Sequence, residues 1–206
     1  MLTAIAFFAI ALGIFMFVAD QIVVDQKDLF DSRVFTFMEQ FRSPEHNALA
    51  LFITSLGTFF FLIPAYLILV FILIRANKRR YAVLAGVISI LSMLLGFLLK
   101  EIFHRERPLF EHLDPVIGYS FPSGHTLAAF TFSGIMAYAV WNTKWPAWAK
   151  VLVSILLFLL AVCIGISRIY LHVHFASDVI GGFCVTVVWL SLCFVGIQYA
   201  RHRAWL

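Results

Sequence analysis

The chain has 206 residues, of which 63% are apolar or aromatic and only 13% are charged, with a formal net charge of +4. Soluble domains are about half apolar and about a quarter charged, so this composition excludes an ordinary soluble fold and indicates a membrane protein. Six charge-free stretches each reach the roughly 17 residues that a spanning helix needs. They are residues 2–19, 48–74, 81–99, 126–143, 151–167 and 179–200. The connections are too short for another domain, so residues 1–206 are expected to form a single membrane-embedded domain.

The region around the second stretch departs from a simple spanning helix. Apolar residues at helical spacing in residues 20–47 predict a short amphipathic helix in the membrane interface. They are Phe30, Val34, Phe37, Met38 and Phe41. This helix either caps the bundle or lines the path by which a lipid reaches the site. The second stretch is long for one crossing and contains Gly57 and Pro64, which predicts a tilt or a kink.

Lysine and arginine residues predict the orientation in the membrane. The short connections 75–80 and 144–150 and the tail 201–206 hold eight of these cations and no acidic residue. The long connections 20–47, 100–125 and 168–178 hold seven cations and all eleven acidic residues. Because Lys and Arg accumulate in cytoplasmic loops, we expect both termini and the short connections on the cytoplasmic side. The positive net charge therefore reflects orientation, and no nucleic-acid partner is expected.

The first cluster of polar residues lies where the third stretch ends. Lys100 follows the stretch directly, and Arg107 precedes Pro108 in the connection. Proline ends a helix, so the chain is expected to leave the helix by this point. Cations that flank a span usually anchor lipid headgroups, and in isolation this cluster has that ordinary interpretation.

The second cluster, Pro122-Ser123-Gly124-His125, directly precedes the fourth stretch. Ser123 is a preferred N-cap, and Gly124 lets a bound group approach the backbone closely. The N–H groups and the dipole at such a helix start bind anions. An ordinary capped helix is the alternative, but His125 adds an imidazole that can move protons near neutral pH.

The third cluster joins the fifth and sixth stretches and contains Arg168, His172, His174 and Asp178. If its last part is helical, His174 and Asp178 share one face. The carboxylate can then orient one ring nitrogen and leave the other as a nucleophile. The alternatives are a structural His–Asp pair and a metal site made by His172, His174 and Asp178. Residues two apart on a helix point in different directions, and the nearby cations repel a metal ion, so the metal site is disfavoured.

Together the clusters supply three cations, one helix start, one oriented histidine and one further histidine on the predicted outer side. Phosphoryl transfer requires in-line positioning and neutralisation of the phosphate oxygens, which these residue types provide. The sequence therefore predicts a phosphate site. Other nearby polar residues could shape headgroup specificity, although solvation of the loops explains them equally well. They are His104, Arg105, Glu106, Glu111, His112, Asp114, Tyr170 and His172.

The three clusters, taken as one pattern, resemble a known signature. Lys100-x6-Arg107-Pro108, Pro122-Ser123-Gly124-His125 and Ser167-Arg168-x5-His174-x3-Asp178 are similar to the three motifs of the type 2 phosphatidic acid phosphatase superfamily. Three motifs in this order, each beside a helix end, form a highly specific combination. The resemblance implies a metal-independent membrane lipid phosphatase that needs no cofactor and forms a phosphohistidine intermediate.

The resemblance also implies a role for each motif residue. His174 would be the nucleophile, and Asp178 would orient it and stabilise its positive charge. His125 would protonate the departing lipid oxygen and then activate water. The phosphate would be held by Lys100, Arg107, Arg168, Ser123 and the backbone N–H of Gly124.

The expected fold is all-α, an integral membrane bundle of six transmembrane helices with a short interfacial amphipathic helix. The expected function is hydrolysis of the terminal phosphate of a lipid phosphate or diphosphate at the outer face of the cell membrane. The family acts on phosphatidic acid, phosphatidylglycerol phosphate, lysolipid phosphates and undecaprenyl diphosphate, and an outward-facing site favours the last. A phosphotransferase that uses an acceptor other than water is the main alternative. A lipid transporter is disfavoured because every formal charge lies at a span end.

Overall fold

A computed structural model describes residues 2–22, 29–109, 114 and 117–202, and in these residues it contains eight α-helices and no strand. The all-α expectation is confirmed for this part of the chain. In chain order the helices are α1 Leu2–Asp20, α2 Leu29–Glu39, α3 Pro44–Ser55, α4 Phe59–Arg75, α5 Arg79–Phe103, α6 Gly124–Trp141, α7 Ala147–Tyr170 and α8 Ala176–His202.

Helix α6 lies at the centre of the bundle and packs against α4, α5, α7 and α8. Its buried residues include small and polar side chains such as Ala129, Thr131 and Ser133, which let neighbouring helices approach closely. Large apolar side chains cover the outside of the bundle, and Phe60 on α4 is 95% exposed. In a soluble protein such a surface would be unfavourable, but a lipid bilayer is its natural surrounding.

The described residues support three or four membrane spans. Among the described residues, α5, α7 and α8 are long and apolar enough to cross a membrane, and α3 with α4 form a bent pair that passes the same test together. Helix α1 is shorter over its apolar part, Ile5–Asp20, and α6 carries several buried polar residues. Three or four spans are thus supported, and the expected six remain a prediction.

The predicted kink in the second apolar stretch is confirmed. Helices α3 and α4 meet at an angle of 42°. Gly57 lies at this break, and a Cβ atom there would be 2.6 Å from Cγ2 of Ile164 on α7. Pro64 lies inside α4. The break therefore falls at the glycine, where the chain passes so close to α7 that a side chain would have to displace Ile164.

The predicted short helix is present as α2, but its faces differ from the simplest reading of the pattern. The aromatic residues Phe30 and Phe37 are more than half exposed. The residues buried on α2 are Asp31 and Phe35, and Phe35 packs with Ile169 and Ala176 at the adjoining ends of α7 and α8. A carboxylate thus lies on the inward face of this helix.

Candidate active site

The three predicted motifs meet at one end of the bundle. Lys100 lies in the last turn of α5, Ser123 caps the start of α6, and Arg168 lies in the last turn of α7. The backbone N–H of Ser123 donates to the carbonyl of Asp178 in the first turn of α8, at 3.0 Å. The basic connections that join α4 to α5 and α6 to α7 lie at the other ends of these helices.

His174 and Asp178 make the contact that the sequence predicted, but not on one continuous helix. The Nδ1 atom of His174 lies 3.2 Å from Oδ2 of Asp178, and the backbone N–H of Phe175 donates to the same oxygen at 2.9 Å. Helix α8 begins only at Ala176. The helical assumption for His174 is therefore wrong, because the chain turns sharply at His172, whose φ is +59°.

Burial and pairing set the protonation state of His174. The residue is 2% exposed, and this burial lowers the pKa of His174, although hydrogen bonding to Asp178 opposes the shift. The positive charges of Lys100 and Arg107 lower the same pKa further. The imidazole is thus neutral near pH 7, with Nδ1 paired with Asp178.

Two of the predicted phosphate-binding cations donate to backbone carbonyls around the site. Lys100 donates to the carbonyl of Tyr119. Arg107 donates through Nε to Gly118 at 2.9 Å and through Nη1 to Val173 at 2.6 Å. The same Nη1 atom lies 3.4 Å from Nε2 of His174, so this guanidinium adjoins the ring nitrogen that Asp178 does not hold.

Arg168 is almost fully buried, with 1% of the residue exposed. Its Nη1 donates to Oγ1 of Thr54 at 2.7 Å and to Oδ2 of Asp114 at 2.6 Å. The backbone carbonyl of Arg168 accepts the N–H of His174 at 3.3 Å, which ties this cation to the loop that carries His174. The Nε atom is buried and has no hydrogen-bond partner among the described residues. Such a group suits an anionic ligand.

The start of α6 has the form of an anion site. The Ser123 hydroxyl accepts the N–H of Thr126 at 3.4 Å, while the first-turn N–H groups of Gly124 and His125 have no acceptor within the helix. A Cβ atom at Gly124 would lie 3.9 Å from Cε of Lys100, so the two motifs adjoin. The Nε2 atom of His125 is buried and unpartnered among the described residues.

The alternative metal site is not assembled in the described residues. The Nε2 atom of His172 lies 2.9 Å from Oε1 of Glu39, while His174 is paired with Asp178. No group of three His, Cys, Asp or Glu side chains in the described part of the chain is arranged to hold a metal ion.

Several residues at the site were not singled out by the sequence. Arg105 and Asp114, which loop solvation explained equally well, form ion pairs with Asp178 and Arg168 respectively. Asp31 on α2 forms an ion pair with Arg105. No spacing rule connects residues so far apart along the chain, and the signal for Asp31 was only a charge within an amphipathic pattern.

The assembled residues provide the parts of a phosphoryl-transfer site. One neutral imidazole is fixed through Nδ1, a second imidazole lies at a helix start, and the guanidinium and ammonium groups around them can neutralise phosphate oxygens. His125 lies within electrostatic range of His174, Arg168 and Lys100. A phosphate bound between these groups would contact two imidazoles and a set of cations together.

Comparisons with known proteins agree with this geometry. Residues 81–202 match the model of the PAP2 superfamily. Phosphatidylglycerophosphatase B of Bacillus subtilis is 36% identical over 143 residues, which cover 69% of this chain and 70% of that protein. The undecaprenyl-diphosphatase of Sulfolobus acidocaldarius is 28% identical over 159 residues, covering 74% of this chain and 70% of the relative.

A solved structure matches nearly the whole chain. The crystal structure of a transmembrane PAP2 type phosphatidylglycerolphosphate phosphatase from Bacillus subtilis superposes with a TM-score of 0.85 and 29% sequence identity. The match covers 97% of this chain and 98% of that one. The similarity therefore extends through α1 and α2, which precede the residues of the family match.

Proposed function

This chain belongs to the PAP2 superfamily, and we propose that it is an integral membrane phosphatase that hydrolyses the terminal phosphate of a lipid phosphate or lipid diphosphate. The observation that carries the proposal is the buried His174, whose Nδ1 is paired with Asp178 while its Nε2 adjoins Arg107 at 3.4 Å. A histidine fixed in this way serves as a nucleophile toward phosphorus.

The first half of the reaction is transfer of the phosphoryl group to His174. The substrate phosphate binds among Lys100, Arg107, Arg168 and the first turn of α6, with the Ser123 hydroxyl and the Gly124 N–H as further donors. Nε2 of His174 attacks phosphorus in line with the bond to the lipid oxygen, and that bond breaks as the P–N bond forms. Burial and the surrounding cations lower the pKa of His125, so it takes up a proton only when the anionic phosphate is bound beside it, and it then gives that proton to the departing oxygen. Asp178 stabilises the positive charge that develops on the imidazole.

The second half restores the enzyme. His125, now neutral, accepts a proton from water, and the resulting hydroxide attacks the phosphohistidine. The P–N bond breaks, inorganic phosphate leaves, and His174 returns to its neutral form. The buried and unpartnered Nε2 of His125 supports this role, since it is a proton-accepting atom without a protein partner among the described residues.

The proposal is tested by phosphate release from purified protein in detergent. Phosphatidylglycerol phosphate, phosphatidic acid and undecaprenyl diphosphate are compared side by side, because the names of the relatives include enzymes for the first and the last. We expect activity on at least one of them and its loss in His174→Ala. The exposed-surface variant Arg33→Gln on α2 is the matched control and should retain activity. Equal activity of wild type and His174→Ala would refute the nucleophile.

Hydrolysis and transfer to another acceptor share the first half-reaction. A substrate with a labelled terminal phosphate is therefore incubated with and without candidate lipid and sugar alcohols. We expect the label in inorganic phosphate under both conditions. Label in the added alcohol would assign the chain to the phosphotransferases instead.

We further propose that the site faces the outer side of the membrane, on the basis of the basic connections at the opposite end of the bundle. A cysteine-free background is labelled in intact cells with a membrane-impermeant thiol reagent. Leu109→Cys, beside the site and 98% exposed, should react, whereas Trp145→Cys, between α6 and α7, should react only after lysis. The reverse pattern would invert the orientation.

A further inference from the structure

Asp31 on helix α2 is a buried carboxylate that is connected to the active site through Arg105. Asp31 is 3% exposed, although it belongs to a helix whose aromatic side is largely exposed. Its Oδ2 accepts from Nη2 of Arg105 at 2.8 Å, and its Oδ1 accepts the backbone N–H of Ser177 at 2.9 Å. The hydroxyl of Ser177 donates to the same carboxylate at 2.5 Å. This side chain therefore connects the interfacial helix to the first turn of α8.

Arg105 joins this carboxylate to that of the nucleophile's partner. Its Nη1 donates to Oδ1 of Asp178 at 2.6 Å and to the hydroxyl of Ser177 at 2.7 Å, while Nη2 serves Asp31. The guanidinium also stacks over the ring of Phe175, with 3.9 Å between its carbon and the ring centroid. The planar guanidinium group has donors in fixed directions and can hold two carboxylates at once, whereas an ammonium group orients its partners with much less directional control.

The two oxygens of Asp178 are used for different purposes. Oδ2 accepts from the backbone of Phe175 and contacts Nδ1 of His174, whereas Oδ1 is held by Arg105. Rotation of this carboxylate about its last bond would weaken the contact to His174. Because Arg105 is itself anchored by Asp31, the orientation of the imidazole depends on a residue of α2.

We propose that Arg105 and Asp31 are positioning residues for the phosphohistidine step, and that α2 is thereby part of the catalytic apparatus. The inference rests on the proposed function and extends it to a helix outside the three motifs. Neither residue is required to touch the phosphate. They act through Asp178 on the direction and basicity of Nε2 of His174. Arg107, two residues after Arg105, adjoins that nitrogen directly and serves the phosphate.

A positioning role predicts a specific kinetic signature. Loss of positioning changes the approach of the nucleophile and leaves the phosphate-binding cations in place, so kcat falls while KM is preserved. Misplacement of a reacting group by about 1 Å can cost about a hundredfold in rate, so a loss of about 10- to 100-fold in kcat is expected. A purely structural contact would instead lower the amount of folded enzyme and leave the kcat of the folded fraction unchanged.

The test uses the full-length enzyme in detergent with the lipid phosphate on which the wild type is most active. The variants are Asp31→Asn, Arg105→Lys and their double mutant. Arg33→Gln is the matched control, since it removes a charge from the exposed face of the same helix. The kcat per folded molecule, the KM and the inhibition constant of inorganic phosphate are measured, together with the thermal unfolding midpoint. His174→Ala reports whether the proposed nucleophile itself is required.

We expect both single variants to lose about 10- to 100-fold in kcat, with KM and the phosphate inhibition constant within about threefold of wild type. The double mutant should resemble the more impaired single variant, because the two residues act through one chain of contacts. A kcat within threefold of wild type in folded Asp31→Asn and Arg105→Lys would overturn the inference. A rise in KM at constant kcat would assign Arg105 to phosphate binding and also overturn it.

Two outcomes separate this inference from its premise. Full activity of His174→Ala would refute the proposed function, whereas an inactive His174→Ala with fully active Asp31→Asn would refute only the positioning role. Ser177→Ala keeps the ion pairs of Arg105 and removes the two hydrogen bonds of the Ser177 hydroxyl, to Arg105 and to Asp31, so it should fold and lose less kcat than Asp31→Asn or Arg105→Lys. Unfolding of both Asp31→Asn and Arg105→Lys while Ser177→Ala folds would mark the network as structural and overturn the proposal.

Discussion

Gly182 offers a sharp test of how closely α8 must approach the start of α6. A Cβ atom at this position would lie 2.8 Å from the backbone oxygen of Ser123 and 3.2 Å from Cβ of Thr126. Ordinary van der Waals contacts of a Cβ atom begin at 3.4 Å. Because the nearest atom belongs to the backbone, Gly182→Ala cannot be accommodated by a side-chain rotation, and the two helices must separate by about half an ångström.

The matched control is Gly196→Ala on the same helix, where a Cβ atom would meet nothing within 4 Å. Alanine in place of glycine stabilises a helix by about 0.5–1 kcal/mol, so Gly196→Ala should be slightly more stable than wild type. Gly182→Ala gains the same helix propensity but adds an overpacking cost of about 1–3 kcal/mol. The two variants should therefore differ by about 1–3 kcal/mol in unfolding free energy.

The same displacement should reduce catalysis. Ser123 donates its N–H to Asp178 across this helix contact at 3.0 Å, so separation of α6 from α8 moves the helix start away from the His174–Asp178 pair. A shift of about half an ångström is expected to lower kcat by about tenfold. Thermal unfolding in detergent and phosphate release per folded molecule are the measurements. Equal stability and equal activity of Gly182→Ala and Gly196→Ala would refute the packing argument.

Three further outcomes are expected. Asp114→Asn should lower the inhibition constant of inorganic phosphate about three- to tenfold, because Oδ2 of Asp114 accepts from Arg168 at 2.6 Å and competes with a bound anion for that guanidinium. An unchanged inhibition constant would contradict this expectation. When the pH falls from 7 to 5, His174 takes up a proton in the unfolded chain but not in the folded protein, where its pKa is lowered. Wild type should therefore lose up to about 2 kcal/mol more stability than His174→Asn. Equal losses in the two proteins would contradict this protonation state. Phosphate release should continue with EDTA present, since protein cations neutralise the phosphate, and loss reversed by a divalent ion would show otherwise.

The amphipathic pattern of α2 shows what sequence periodicity can predict and what it cannot. The spacing of Phe30, Phe37 and their neighbours predicted the helix correctly, since periodicity depends only on residues within one turn or two. It could not identify the side that packs against the protein. In a membrane protein the aromatic side can face lipid, and the structure instead buries Asp31. The buried face of α2 is determined by the ion pair with Arg105, which lies 74 positions away from Asp31 along the chain.

The sequence alone determined the membrane class and the candidate site. The charge-free stretches, the kink region and the pair His174 and Asp178 follow from composition and short spacings, which are local properties of the chain. Tertiary structure decided the helix break at Gly57 and the ion pairs of Arg105 and Asp114. It also brought Ser123 against Asp178. These contacts join residues on different elements, so they exist only once the elements pack, and no spacing along one segment contains them.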